Sequence, residues 1–137
     1  MAKIDQLLLC TCEGSQSVDG ETAQAAIGAG NLREVSHLCT RDLDVAEKAL
    51  ASEGTTMIAC GQMAGLFEEL AASLDADLVT ADIRDRAGWT ADETAHPKQA
   101  ALLAEALLET PVTPTKDVLS EGTIMILGGE AALSAAE

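Results

Sequence analysis

Aromatic side chains are nearly missing from this chain: in 137 residues there is one phenylalanine, Phe67, one tryptophan, Trp89, and no tyrosine, although 47% of the residues are hydrophobic. An interior must therefore be built from Ala, Leu, Ile, Val and Met. Positive charge is scarce as well. Eight Lys and Arg stand against 23 Asp and Glu, a formal charge of −15 with no basic cluster to offset it locally, which repels a phosphate backbone and excludes nucleic acid as a partner. No stretch approaches the ~20 apolar residues that a membrane span requires, and the hydrophobic run in the opening "MAKIDQLLLCTC" is too short for a signal peptide. The expectation is a cytoplasmic protein that does not insert into membranes. Low-complexity tracts and convincing internal repeats are also lacking, and the length suits one domain that buries roughly 68% of the surface its unfolded chain exposes.

What the chain does have is four cysteines, Cys10, Cys12, Cys39 and Cys60. In a reducing compartment such residues serve as metal ligands, redox groups or small buried side chains more often than as structural disulfides. Their placement follows from a strand and helix alternation. Strands are expected at 3–10, 32–39, 55–60 and 76–83, and a fifth at 122–129 in "GTIMILGG". Helices are expected at 19–30, capped by Asp19 and stopped by Gly28 and Gly30, and at 41–54, 61–74 and 97–109, the last opened by Pro97. Residues 84–96 read as irregular, and the prolines of "TPVTPTKD" as a linker.

Strict alternation implies right-handed crossovers and a three-layer α/β sandwich with a mostly parallel sheet of four or five strands. The expected order is 2-1-3-4, with the fifth strand at the outer edge. In such a sheet ligands bind beyond the carboxyl ends of the strands. Cys10 and Cys12 end the first strand, Cys39 the second and Cys60 the third, so all four thiols are expected on one rim. The spacing C-x-C-x26-C-x20-C matches neither zinc ribbons nor the bacterial ferredoxin run, and from the donors alone zinc and an iron–sulfur cluster both remain open.

The ordered segments "LLLCTC", "SHLCTRDLDVAEKAL", "MIACGQMAGLFEEL" and "ADIRDRAGWT" resemble the N-terminal domain of heterodisulfide reductase A-like proteins and related bacterial iron–sulfur proteins of the ferredoxin type. In that family a first strand ends in C-x-C, the second and third each end in a Cys before a helix, and a later motif resembles Asn-Ile-Arg-Glu-x-Cys-Ser-Trp. The resemblance implies a [4Fe–4S] cluster held by Cys10, Cys12, Cys39 and Cys60, and electron transfer to other redox domains or proteins. It implies no substrate turned over by this piece itself. Ala87 stands where the family often has a further cysteine. The tail "TIMILGGEAALSAAE" resembles the opening of a following flavin-binding unit, but Glu130 and Leu133 occupy glycine positions of a dinucleotide fingerprint, which argues against nucleotide binding there.

The domain reading is accordingly an α/β cysteine-bearing unit at 1–115, Rossmann-like or flavodoxin-like, followed at 116–137 by a last strand and the start of a possible next unit. Two rivals stand beside the electron-transfer reading: a thiol-based redox or regulatory module, and an adaptor domain without cofactor that docks redox partners. A phosphatase-type loop after Cys12 fails, since Val18 occupies the place of its arginine. Among other residues, His37 reads as a core histidine of the second strand and His96 as a capping or surface group. Arg41 is a candidate to neutralise an anionic cluster, Arg84–Asp85–Arg86 a candidate lid, Trp89 a core plug, and Met57, Met63 and Met125 aliphatic filler. The backbone amides of "TCEGS" and "CGQM" are candidate donors to cluster sulfurs.

Overall fold

The structure is a computed structural model, and it describes residues 3–109, 113–119, 121–122, 125–130 and 134. Its frame is set by "QLLLC", strand β1 (Gln6–Cys10), in which four of five side chains are buried. A strand covered on both faces reads as a continuous apolar run, and β1 is that strand. It pairs in parallel with β2 (Asn31–Val35) on one side and β3 (Thr56–Ala59) on the other, and β3 pairs in parallel with β4 (Leu78–Thr80), giving the order β2-β1-β3-β4. Four helices cover the sheet: α1 (Gly20–Ile27), α2 (Leu43–Leu50), α3 (Ala64–Leu74) and α4 (His96–Glu105).

Side chains alternate across a strand, and β1 shows the consequence. Leu7 and Leu9 enter one core cluster with Ala23 of α1 and Leu102 and Leu103 of α4, whereas Leu8 and Cys10 enter the other with Ala46 and Leu50 of α2 and Phe67 of α3. Helix α1 packs on α4 and α2 on α3, so the architecture is the expected three-layer sandwich. Phe67, the single phenylalanine, is fully buried. Helix α1 begins where Asp19 accepts from the Thr22 amide at 3.0 Å, and it stops at Gly28, whose φ of 63° is left-handed. Gly30 then lets the chain pass close to Asp5, where a Cβ would sit 2.9 Å from the Asp5 carbonyl oxygen.

Most element ends shift by up to four residues from expectation, and three differences bear on the site or the tail. Strand β2 ends at Val35 and not at Cys39, because the Asp42 carboxylate takes the His37 amide at 3.0 Å and the next turn closes on the His37 carbonyl. The segment 84–96 is not wholly irregular, since a 3-10 turn at Glu93–Ala95 leads into α4. Of the fifth strand expected at 122–129, residues 123 and 124 lie outside the described residues, and the described ones belong to no strand, with Met125 and Leu127 more than three-quarters exposed. Met57 fills the core as expected, but Met63 and Met125 are exposed and do not. Among the described residues, no helix is long and apolar enough to cross a membrane.

Leu8 and Leu9 report separately on the two layers. Leu8→Ala and Leu9→Ala are each expected to cost about 3 kcal/mol, read as a lower urea midpoint at unchanged slope. A loss under ~1 kcal/mol at either position contradicts a sheet covered on both faces.

Candidate functional site

Beyond the carboxyl ends of β1 and β3, the crossovers to α1 and α3 leave toward opposite faces of the sheet, and this is where a parallel sheet opens a ligand crevice. The cysteines gather there. Cys10 is the last residue of β1 and 4% exposed, Cys12 follows in the β1–α1 loop, Cys39 lies in the turn before α2, and Cys60 is the first residue after β3 and 9% exposed. A cavity of about 340 Å³ is lined by Cys10, Cys12 and Cys39 together with His37, Arg84 and Trp89. Cys60 is not part of that lining but packs in the same apolar cluster as Cys10, with Cys12 and Cys39 against it. All four are free thiols.

The C-x-C turn is bent by strained backbone. Cys12 and Glu13 have φ of 48° and 61°, a left-handed conformation that costs a residue with a Cβ roughly 1–2 kcal/mol, and Gly14 continues it at 80°. Hydrogen bonds hold the bend: Glu13 N–H to the Ser36 carbonyl, Gly14 N–H to Thr11 and Ser15 N–H to Cys12, at 3.0 to 3.1 Å. Gln16, 3% exposed, completes the clamp by donating its Nε2 to the Cys10 carbonyl at 2.6 Å and to Cys12 Sγ at 3.7 Å. Its own Oε1 accepts from buried Gln99 of α4 at 3.4 Å. Helix α4 is thereby tied to the sulfurs across the sheet's end.

The expected donation from turn amides to sulfur is met in only two places. Cys12 N–H reaches Cys10 Sγ at 3.3 Å, and the Met63 amide faces Cys60 and favours its thiolate. The other amides of "TCEGS" are engaged by backbone carbonyls.

Burial pushes the Cys12 thiol up to about 11, and a negative charge on Cys10 adds to that rise while Arg84 opposes it. Cys60 is also raised, first by burial; the Met63 amide and Arg84 act against it, and charge on Cys39 and Cys10 acts with it. Cys60 thus lies within electrostatic reach of Cys39, Cys10 and Cys12, and Cys12 within reach of Cys10 and Cys60. His37 lies past the end of β2, not within it. Arg41 Nη2 stands 2.9 Å from its Nδ1, and since a guanidinium only donates, Nδ1 accepts and Nε2 carries the proton facing Glu13 Oε1 at 3.2 Å. Arg41 is thus engaged by His37 and Asp42, not by the sulfurs.

The cation that faces the sulfurs is Arg84. Its guanidinium lies 4.1 Å over the Trp89 ring, its side chain is 17% exposed, and its buried Nε has no hydrogen-bond partner, the nearest carboxylate oxygen being that of Asp85 at 3.6 Å. Trp89 is 57% exposed and sits at the cavity's edge, so it does not plug the core. His96 opens α4 and bonds Ser17 Oγ at 2.8 Å through Nε2. Sequence reasoning places the cysteines on this rim and names Arg84 only as part of a lid. It gives no sign of Gln16, a loop glutamine between two serines.

Comparison of the chain with family models, with curated proteins and with solved structures returns no match. Among the described residues, no three Cys, His, Asp or Glu side chains converge closely enough to hold a single metal ion. The thiols border a space and do not meet at a point.

Because Cys12 holds its proton more tightly in the folded chain than at its ordinary value of 9.0, the stability it contributes is complete below pH 9 and is lost as pH rises toward about 11. Urea midpoints of the metal-free, reduced protein are expected to fall across that window, and Cys12→Ser to shrink the fall; a midpoint independent of pH there contradicts the buried environment. Gln16→Leu takes from the Cys10 carbonyl its side-chain donor and leaves Gln99 bonded to the Ser17 carbonyl alone, and is expected to cost about 1–3 kcal/mol in the same assay, whereas a neutral result breaks the clamp.

Proposed function

We propose that this chain is an iron–sulfur electron-transfer domain of a larger redox protein, with Cys10, Cys12, Cys39 and Cys60 as ligands of a [4Fe–4S] cluster. The observation that carries the reading is the gathering of four thiols, from the end of β1 and the loop after it, the turn before α2 and the end of β3, at the crevice of the sheet. Soft thiolates are the donors such a cluster takes. A cluster stands between its ligands, so its donors need room beside them, and the cavity of about 340 Å³ offers it against Cys10, Cys12 and Cys39, with Cys60 packed behind Cys10. The unpartnered Nε of Arg84 beside that cavity fits an anionic occupant. The ordered cysteine motifs and "DIRDRAGW" add the resemblance to the heterodisulfide reductase A-like family.

A thiol-exchange module is the weaker reading. Such modules depend on a thiolate at neutral pH, and burial moves Cys12 and Cys60 the other way.

Bound at this site, the cluster supplies a one-electron couple. The chain's own residues set its surroundings. Leu8, Leu38, Ile58 and Phe67 pack around Cys10 and Cys60 and keep water from those sulfurs. The Cys12 and Met63 amides draw charge from Cys10 and Cys60, a lever on reduction potential. Thiols must lose their protons to bind, so uptake of the metal is favoured by alkaline pH. The partners are other redox domains or proteins in a reducing, cytoplasmic setting, and a net charge of −15 steers basic ones at rates that fall with salt.

Anaerobic reconstitution is expected to give a brown protein with about four irons and four sulfides per chain, lost in Cys39→Ser. The sole tryptophan, Trp89, lies at the cavity's edge, and its emission is expected to be quenched in step with iron uptake. A colourless, folded product with unquenched Trp89 overturns the proposal.

A further inference from the structure

We propose that Arg84 is the charge partner of the cysteine site: its guanidinium, pinned under Trp89 at the cavity wall, offsets the negative charge that the sulfurs bring and so raises the potential at which the site accepts an electron. The inference rests on the cluster reading and assigns a positioned charge within it.

Three observations converge on this residue. First, Arg84 lines the cavity with Cys10, Cys12 and Cys39, and its charge is felt at both Cys12 and Cys60. Second, the guanidinium is fixed. The Arg84 and Asp85 amides bond Asp82 Oδ1 at 3.2 and 3.0 Å, and the Trp89 amide returns to the Arg84 carbonyl at 2.8 Å, which closes the loop and lays the ring 4.1 Å from the guanidinium carbon. Trp89 adopts a φ of 47° to do so, a conformation a bulky residue seldom takes without compensation. Third, the Nε of this part-buried side chain lacks a hydrogen-bond acceptor, and its one carboxylate neighbour, the exposed Asp85, stands at 3.6 Å, so the cation is only partly compensated. An anionic sulfur site supplies further counter-charge from the cavity side.

Two other arginines are committed elsewhere: Arg41 is held by Asp42 and His37, and Arg86 by Glu105 at 2.9 Å. Gly61 keeps the wall close: a Cβ there would meet the Asp82 Cβ at 2.5 Å, so the loop that begins at Cys60 and the loop that carries Arg84 share one contact.

The physical consequence has a definite sign. One-electron reduction transfers an electron from an external donor to the site, breaks no bond and adds one negative charge. A neighbouring cation stabilises the reduced form more than the oxidised form, so removing it makes reduction harder. Partial burial of Arg84 keeps salt from screening this effect as it does at a surface.

The test compares wild type, Arg84→Gln and Arg84→Lys after anaerobic reconstitution, with iron and sulfide content measured first and the potential then read by dithionite titration under optical monitoring. In its loaded fraction Arg84→Gln is expected to shift the oxidised-to-reduced ratio about tenfold at fixed applied potential, or 59 mV downward for one electron. Arg84→Lys retains the charge and is expected to lie within threefold of wild type. If Arg84→Gln does not fold or load, Arg84→Lys decides: a shift of tenfold or more in this charge-retaining variant overturns the assignment, as does a loaded Arg84→Gln with the wild-type potential. Failure of the wild type itself to take up iron overturns the cluster reading and the role of Arg84 with it, and is told apart because it appears before any substitution.

Discussion

The rim depends on β1 being paired on both sides. Two parallel ladders, to β2 and to β3, fix its register residue by residue, so that Cys10 lies opposite Val35 and Leu9 opposite Ala59. A slip by one residue would exchange the two faces of β1 and carry Cys10 from the α2 and α3 side to the α1 and α4 side. Because Leu7, Leu8 and Leu9 are all apolar, the burial of the leucines alone does not forbid that slip. What resists it is shape: Phe67, Leu50 and Ala46 receive Leu8 on one side, and Leu102, Leu103 and Ala23 receive Leu7 and Leu9 on the other. The sulfur positions are thus a by-product of core packing as much as of the loops that carry them.

Where the chain leaves the sheet, packing gives way to polar constraint. The β1–α1 loop bends through Cys12 and Glu13 in left-handed backbone, and its hydrogen bonds go to the neighbouring loop at Ser36, to its own turn, and through Gln16 to α4. Each of these elements comes from a different part of the chain. Strain at non-glycine residues persists only where the surroundings over-determine it, and here the surroundings are the loops that also position Cys39 and, through α4, the far layer. The same arrangement explains why the thiols are raised: the bend draws Cys12 toward Cys10 and away from water.

Much of this is legible in the sequence. Apolar runs of strand length between helix-period segments point to the four strands found, the four helices and the order 2-1-3-4, because each element's local signal agrees with its tertiary role, whereas the fifth strand they also point to at 122–129 is not formed by the described residues there. Asp19, Gly28 and Pro97 mark helix ends by chemistry that needs no partner. The misses share another cause. Cys39 looks like a strand end because "REVSHLC" keeps β-like composition past Val35, and only the Asp42 carboxylate, five residues beyond His37, stops the ladder. The size of Trp89 suggests a buried ring, yet that ring serves a cation at the surface. Gln16 meets Gln99, 83 positions away, and Arg84 meets Cys10, Cys12 and Cys39 only across the rim; no local pattern encodes such meetings.

A chain with formal charge of −15 is a poor host for further negative charge, and the position of its few cations matters more than their number. Lys3, Lys48, Arg41 and Arg86 are paired with surface carboxylates, where solvent and salt leave such pairs worth roughly 0–1 kcal/mol. The distributed acidic surface is screened in the same way, over a Debye length of about 8 Å, so it acts on approaching partners more than on the interior. Arg84 differs in degree, because a charge that is mostly removed from water works in a lower effective dielectric, and it acts on both Cys12 and Cys60. Burying it costs solvation, and Trp89 returns part of that cost through a cation–π contact worth on the order of 1–2 kcal/mol when desolvated. Asp85, at 3.6 Å from its Nε, returns another part, so the one part-buried cation, the one tryptophan and the cysteines stand together at a single place in the fold.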